Sequence, residues 1–256
     1  MPDALRILVT NDDGIDARGL EVLETIAAEL SGDVWVVAPA HEQSAKGHSV
    51  SMHMPIRLRR YGERRFSVEG TPADAVMMGV RHVLVEHGCD LVLCGVNRGA
   101  NAADDVTYSG TVAAAMEATL LGVPSIALSQ EYRPGEPLHW DTALSFGPDV
   151  LRRALAAGWP KGVLVNVNFP PVPPDDVAGI AICRQGQHDF TGQKPIRRTD
   201  PYGRDYFWMA GWGIGVKDAP EGTDLHALLG NRVAVTPIHL DMTHTPTLER
   251  LAEAFP

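Results

Sequence analysis

Residues 6–30 read RILVTNDDGIDARGLEVLETIAAEL, and the reading of this stretch decides the fold. Arg6 to Thr10 is a short apolar run of the kind that forms a strand buried on both faces. From Gly19 to Leu30, apolar residues recur at helical spacing: Leu20, Leu23, Ile26, Ala27 and Leu30. Between the two lies a polar turn, Asn11-Asp12-Asp13-Gly14. A buried strand that feeds a helix is the repeating unit of a parallel sheet, because parallel strands need a long crossover.

Outward from this unit the alternation continues. Val34 to Ala38 is the next strand, and Arg57 to Val68 holds two short runs around Gly62, a hairpin pattern. Thr71-Pro72 opens a helix, with Thr as cap and Pro in the first turn, that runs to about Glu86. Leu91 to Cys94 is a strand, Val112 to Leu121 an Ala-rich helix, Ser125 to Leu128 a strand, Trp140 to Ala156 a helix and Val163 to Val167 a strand. Right-handed crossovers then lead to an α/β fold, a Rossmann-like three-layer sandwich with a mostly parallel sheet. Residues 1–170 make this core. After Phe169 the proline-rich PPVPPDD breaks the pattern. Residues 171–256 read as a β-rich C-terminal extension, not an independent domain, with few periodic helices and a Gly/Trp/Tyr-rich stretch between Arg197 and Gly215. Its aromatic segment around Tyr202, Tyr206, Phe207 and Trp208 suits either the lining of a site or packing at an interface, and packing is the favoured reading.

The totals narrow the function. The 256 residues carry a formal net charge of -10, which argues against a long nucleic acid as partner. A hydrophobic fraction of 45% and a charged fraction of 21% fit a soluble globular chain. No segment approaches the roughly 20 apolar residues of a membrane span, and the N-terminus lacks the pattern of a signal peptide. Cys89, Cys94 and Cys183 contain no CxxC pair and fit buried thiols in a reducing compartment, so a cytoplasmic location is expected.

In open parallel sheets, ligands bind beyond the carboxyl ends of the strands. Three loops there carry ligand-type side chains. In the first, Asp12 and Asp13 can converge in a turn, where two like charges are costly unless a cation lies between them. Oxygen ligands suit Mg²⁺ or Mn²⁺; the same residues also make an ordinary turn. The second loop, Ala38 to Ser49, brings Ser44, a metal ligand or nucleophile, and His48, an acid or base near neutral pH; it also reads as a solvated loop. The third runs from Gly95 to Thr111. Asn97 offers a further oxygen for a metal, and Ser109-Gly110-Thr111 precedes the Ala-rich helix, a start that caps the helix and suits a phosphate. His239 and His244 near Asp241 read as surface residues. GxGxxG, P-loop, HExxH and GxSxG patterns are absent.

Together, TNDDGIDARGL, VVAPAHEQSAKGHS, GTPADAV, GVNRGAN, YSGTVAAAMEATLLGVPSIALS, VNVNFP and RVAVTPIHLDMT resemble one family, the SurE survival proteins, which are metal-dependent nucleotidases. The resemblance implies one divalent cation per subunit held by Asp12, Asp13, Ser44 and Asn97. It implies phosphate contacts at Asn101, Ser109, Gly110 and Thr111, and a homodimer or homotetramer joined through the C-terminal arm. Many relatives place Gly after the metal-binding Ser, whereas here Ala45 follows Ser44, so a stiffer loop is expected.

The expected function is a divalent-metal-dependent 5′-nucleotidase. It would release phosphate from nucleoside monophosphates by metal-activated water attack, with Asp12 and Asp13 as its catalytic carboxylates. The alternative is a non-catalytic nucleotide or phosphate sensor that uses the same metal and helix start. A metal-dependent amide hydrolase would call for His ligands, and the three loops offer only His41 and His48.

Overall fold

A computed structural model of the chain describes residues 5–189, 194–210 and 218–255. In chain order its elements are β1 (Arg6–Thr10), α1 (Arg18–Ala28), β2 (Asp33–Pro39), β3 (Leu58–Arg60), β4 (Arg65–Val68), α2 (Pro72–Met78), β5 (Leu91–Arg98), α3 (Gly110–Leu120), β6 (Ser125–Gln130), α4 (Trp140–Ala157) and β7 (Val163–Phe169). They continue with β8 (Ile180–Ile182), β9 (Lys194–Thr199), β10 (Asp205–Ala210), α5 (Asp224–Leu229), β11 (Val233–His239) and α6 (Thr245–Ala254).

Nine strands form one sheet in the order β3-β4-β2-β1-β5-β6-β7-β11-β8. Pairing is parallel from β4 through β7, and antiparallel where β3 meets β4 and β11 meets β7. The fold is therefore the expected α/β sandwich with a mostly parallel sheet. Alternate residues of β1 feed opposite layers, as the two-residue period of a strand requires. Ile7 and Val9 join the buried cluster that includes Leu20, Leu23 and Ile26 of α1 and Val150 and Leu151 of α4. Leu8 joins the cluster with Val76 of α2 and Val112 and Ala115 of α3. The core thus lies on both faces, as the apolar run of β1 demands.

The order of strands places the site. From β1 the chain steps outward to β2 and β4, then returns to lay β5, β6 and β7 on the other side of β1. The carboxyl ends of β1 and β5 therefore border the crevice where the winding reverses, the usual ligand position in such sheets.

Some elements differ from their sequence reading. Strand β5 runs on to Arg98, across an irregularity between Cys94 and Asn97. Gly95 sits there at φ +131°, and a Cβ on it would run into the carbonyl of Leu128, so only glycine lets the strand continue. Helix α2 begins with the expected cap, a reciprocal Thr71–Asp74 capping box, but its α-helical part ends at Met78 and passes into a π-helical turn, Gly79–Val83. The C-terminal segment contains two helices, α5 and α6, and its strands β8 and β11 are part of the main sheet. Strands β9 and β10 form a separate antiparallel hairpin. Residues 1–4 and the Gly/Trp/Tyr-rich stretch beyond Ala210 lie outside the described residues. No helix among the described residues is long and apolar enough to cross a membrane.

Candidate metal and phosphate site

Asp12 lies two residues beyond the end of β1 and is 3% exposed. The end of a buried strand holds its backbone, and its carbonyl accepts the N–H of Gln43 at 2.7 Å, which ties the first loop to the second. Its carboxylate lies against the start of α3. The Thr111 hydroxyl donates to Asp12 Oδ1. A Cβ on Gly110 would fall 2.8 Å from both Cβ and Oδ2 of Asp12, so glycine is what lets helix and carboxylate approach. Burial raises the Asp12 pKa above its ordinary value, against hydrogen bonds from the side chain and backbone of Thr111.

Asp13 is more open. The backbone N–H of Arg98, at the end of β5, approaches its Oδ2 at 3.4 Å. Burial first, and the Asp12 charge next, push the Asp13 pKa up to about 6. Glu42 adds negative charge to both carboxylates. The pair is thus a largely buried concentration of negative charge, which the Arg98 charge offsets only in part at Asp13 and which a bound cation would relieve. Among the described residues, no three His, Cys, Asp or Glu side chains converge as a metal cage. A cation here would rest on two carboxylates and neutral oxygens, a donor set that suits a hard ion such as Mg²⁺ or Mn²⁺.

The neutral donors lie on the neighbouring loops. Asn97, within β5, uses its Nδ2 to donate to the Gly99 carbonyl at 2.8 Å, a bond that fixes the amide and leaves Oδ1 as its acceptor. Ser44 is exposed, and its hydroxyl donates to Glu42 Oε1 at 2.9 Å. Gln43 anchors this loop to Asp12, and Gly47 anchors it to the Tyr108 carbonyl at 3.1 Å. His48 Nε2 lies 2.9 Å from Glu117 Oε2 on α3, an ion pair when the ring is protonated. Ala45 adopts φ +58°, the left-handed region that glycine occupies without strain.

The four residues read as phosphate contacts are all buried, and each already has structural work. Ser109 caps α3, accepting the Val112 N–H at 3.0 Å, and keeps its own O–H as a donor. Gly110 and Thr111 form the first turn, so the helix start read as a phosphate seat also seats Asp12. Asn101 is held by strands β6 and β7. Its Nδ2 donates to Ser129 Oγ at 2.8 Å, its N–H to Asn168 Oδ1 at 2.7 Å, and its carbonyl accepts from Asn166 Nδ2 at 2.7 Å.

Several residues that position this site carry little signal in the sequence. Asn166 and Asn168 are fully buried, and their alternation in VNVNF was the available signal, since polar residues on one face of a buried strand need partners. Asp224, also fully buried, accepts the Ala103 N–H at 2.9 Å and the Gly186 N–H at 2.8 Å, clamping the third loop to the C-terminal segment. His188 closes on the same loop. Its Nε2 lies 2.9 Å from Asp105 Oδ2, a hydrogen bond that raises its pKa, and its N–H donates to Asp104 Oδ2. His239 and His244 are exposed, as expected, and His244 Nδ1 pairs with Thr247.

Comparison with known proteins bears on this geometry. Residues 7–192 match the family model described as "Survival protein SurE". The 5′-nucleotidase SurE of Methylobacterium nodulans is 56% identical, covering 98% of this chain and all of its own. That of Parvibaculum lavamentivorans is 51% identical, covering 98% of this chain and 91% of its own. The crystal structure of the SurE protein from Aquifex aeolicus superposes with a TM-score of 0.84 at 37% identity, covering 98% of this chain and 100% of that one.

Proposed function

The chain belongs to the SurE family and is a 5′-nucleotidase, and from that premise we propose that Asp12, Asp13, Asn97 and Ser44 would hold one divalent cation, Mg²⁺ or Mn²⁺. The observation that carries the proposal is the Asp12–Asp13 pair at the end of β1, where burial raises both pKa values, Glu42 adds to the negative charge and Arg98 opposes it only at Asp13. Such a cation would supply Lewis acidity toward the phosphate and would make an attacking water more acidic.

The remaining work belongs to side chains and amides. The Ser109 hydroxyl, the Gly110 N–H and the Asn101 amide hold phosphate oxygens and stabilise the charge that develops on them. The network of Ser129, Asn166 and Asn168 keeps Asn101 in place, so the contact needs little reorganisation. Thr111 spends its hydroxyl on Asp12 and so acts on the carboxylate side of the site. Asp13, the more open carboxylate, takes the proton of the water as its oxygen adds to phosphorus, while the P–O bond to the nucleoside breaks and the leaving oxygen takes a proton from solvent. The sensor alternative has no observation of its own in its favour.

We propose further that subunits join through the C-terminal arm. Tyr206, Phe207, Trp208 and Met209 of β10 are exposed, and α6 buries no residue while exposing Leu248 and Leu251, an apolar surface that assembly would cover. A cytoplasmic location agrees with three cysteines that form no disulfide. The test is phosphate release from a panel of nucleoside 5′-monophosphates with Mn²⁺ or Mg²⁺. Release that EDTA abolishes and added metal restores is expected; release that survives EDTA contradicts the metal assignment.

A further inference from the structure

Tyr132 and the guanidinium of Arg98 lie beside this site and take no part in the scheme above. Arg98 ends β5, one residue beyond Asn97, and its N–H reaches toward Asp13. Tyr132 lies two residues beyond β6, the strand paired with β5 through Arg98↔Gln130. The Arg98 guanidinium carbon sits 5.1 Å from the centroid of the Tyr132 ring. A Cβ on Gly99 would lie 3.8 Å from Tyr132 Cε1 and 3.9 Å from Asn97 Nδ2, so ring edge and Asn97 amide flank the same glycine.

The backbone leading to this ring is fixed from both sides. Gly99 N–H donates to the Gln130 carbonyl at 2.9 Å, Gln130 Nε2 to the Pro170 carbonyl at 2.8 Å, and Glu131 N–H to the Phe169 carbonyl at 3.0 Å. Tyr132 nevertheless remains 37% exposed. An aromatic ring held at a fixed place, backed by a cation and open to solvent, costs little entropy to use as a stacking surface. Other Arg–aromatic pairs, such as Arg59–Tyr61, Arg60–Phe66 and Arg64–Trp35, lie on β2, β3, β4 and their turns. The Arg98–Tyr132 pair borders the carboxylates.

We infer that Tyr132, backed by Arg98, is the surface on which the nucleobase of the substrate stacks, an inference that rests on the nucleotidase reading above. With a phosphate held beside Asn97, the sugar and base extend toward solvent, and the ring of Tyr132 flanks the same glycine as the Asn97 amide. Stacking acts on the base and leaves the phosphate chemistry untouched, so Tyr132 affects the choice of substrate and not the rate of the bond-breaking step.

The test compares AMP with ribose 5-phosphate, which carries the same phosphate and sugar without the base. Tyr132→Ala should raise KM for AMP about tenfold while kcat stays within about twofold. Its KM for ribose 5-phosphate should not change, and inhibition by adenosine should weaken about tenfold. Tyr132→Phe should behave as the unsubstituted protein. Tyr132→Leu, which keeps apolar bulk without a π face, should match Tyr132→Ala and serves if the alanine protein does not fold. Equal changes for both substrates, or none for AMP, overturn the inference alone. Failure of the unsubstituted protein to release phosphate from either compound overturns the nucleotidase reading and this inference with it.

Discussion

The two halves of the candidate site are built differently. Asp12, Ser109, Gly110 and Thr111 are buried, and the start of α3 packs so closely on Asp12 that a single added methyl group does not fit. Ser44, Ala45 and Lys46 are exposed, and the second loop is fastened at Gln43, Gly47 and His48. One half has its geometry before any ligand arrives. The other is a strap across it, with a strained residue, Ala45, beside the proposed ligand Ser44. Packing fixes the carboxylates and the phosphate donors. A few hydrogen bonds fix the Ser44 hydroxyl, the oxygen proposed to complete the cation's shell. The buried half should therefore tolerate substitution poorly and the strap well.

The largest effect should come from Asp13→Asn. Activity should fall on the order of 1,000-fold, measured as phosphate release from a nucleoside monophosphate, because a neutral amide neither compensates a cation nor takes a proton. The metal-free protein should keep its fold and melt no lower than the unsubstituted one, because the change removes a repelled, desolvated charge. A wild-type rate would place the catalytic cation elsewhere. Gly110→Ala follows. The new Cβ meets Asp12 Cβ and Oδ2 at 2.8 Å, so helix or carboxylate must shift. A destabilisation of about 2–3 kcal/mol, read from urea unfolding, is expected, and an unchanged midpoint would show that the buried half is looser than described here.

The pH dependence of the metal-free protein should be smaller. The folded-state pKa of Asp13 is about 6, above its ordinary value of 3.8, so the folded chain holds this proton more tightly than the unfolded one. The resulting stability is present below the unfolded value and is lost as pH rises through about 6. A loss of about 1–2 kcal/mol between pH 4 and pH 7 is expected after allowance for the partial exposure of Asp13. Asp13→Asn should remove most of this slope. In the strap, Ala45→Gly should gain only about 0.5 kcal/mol, since relief of the left-handed strain is offset by a freer unfolded chain. Its activity should match the unsubstituted protein, and a tenfold loss would show that the strap is as exacting as the buried half.

Much of this architecture was legible in the chain because its signals are local. The apolar run of β1, the spacing in α1, the hairpin around Gly62 and the Thr71-Pro72 helix start each need only neighbouring residues to be read. Features that depend on distant partners were not. Gly95 read as the end of a strand, and only the approach of Leu128 shows why β5 continues through it. Thr111 reads as a phosphate contact, and nothing in its neighbourhood in sequence shows that its hydroxyl also donates to Asp12, a residue far away along the chain. Asn166, Asn168 and Asp224 act by accepting or donating to loops that a linear reading does not bring beside them. Residue types at the site were visible in the sequence; their division of labour required the packing of β1, β5 and α3.

Binding of Mn²⁺ to chelator-stripped protein, followed by electron paramagnetic resonance, tests most directly whether Asp12 and Asp13 hold a cation. One ion should bind per chain at pH 7, more weakly at pH 5 where Asp13 is protonated, and Asp13→Asn should abolish the binding. Undiminished Mn²⁺ binding by Asp13→Asn would contradict the assignment of the site.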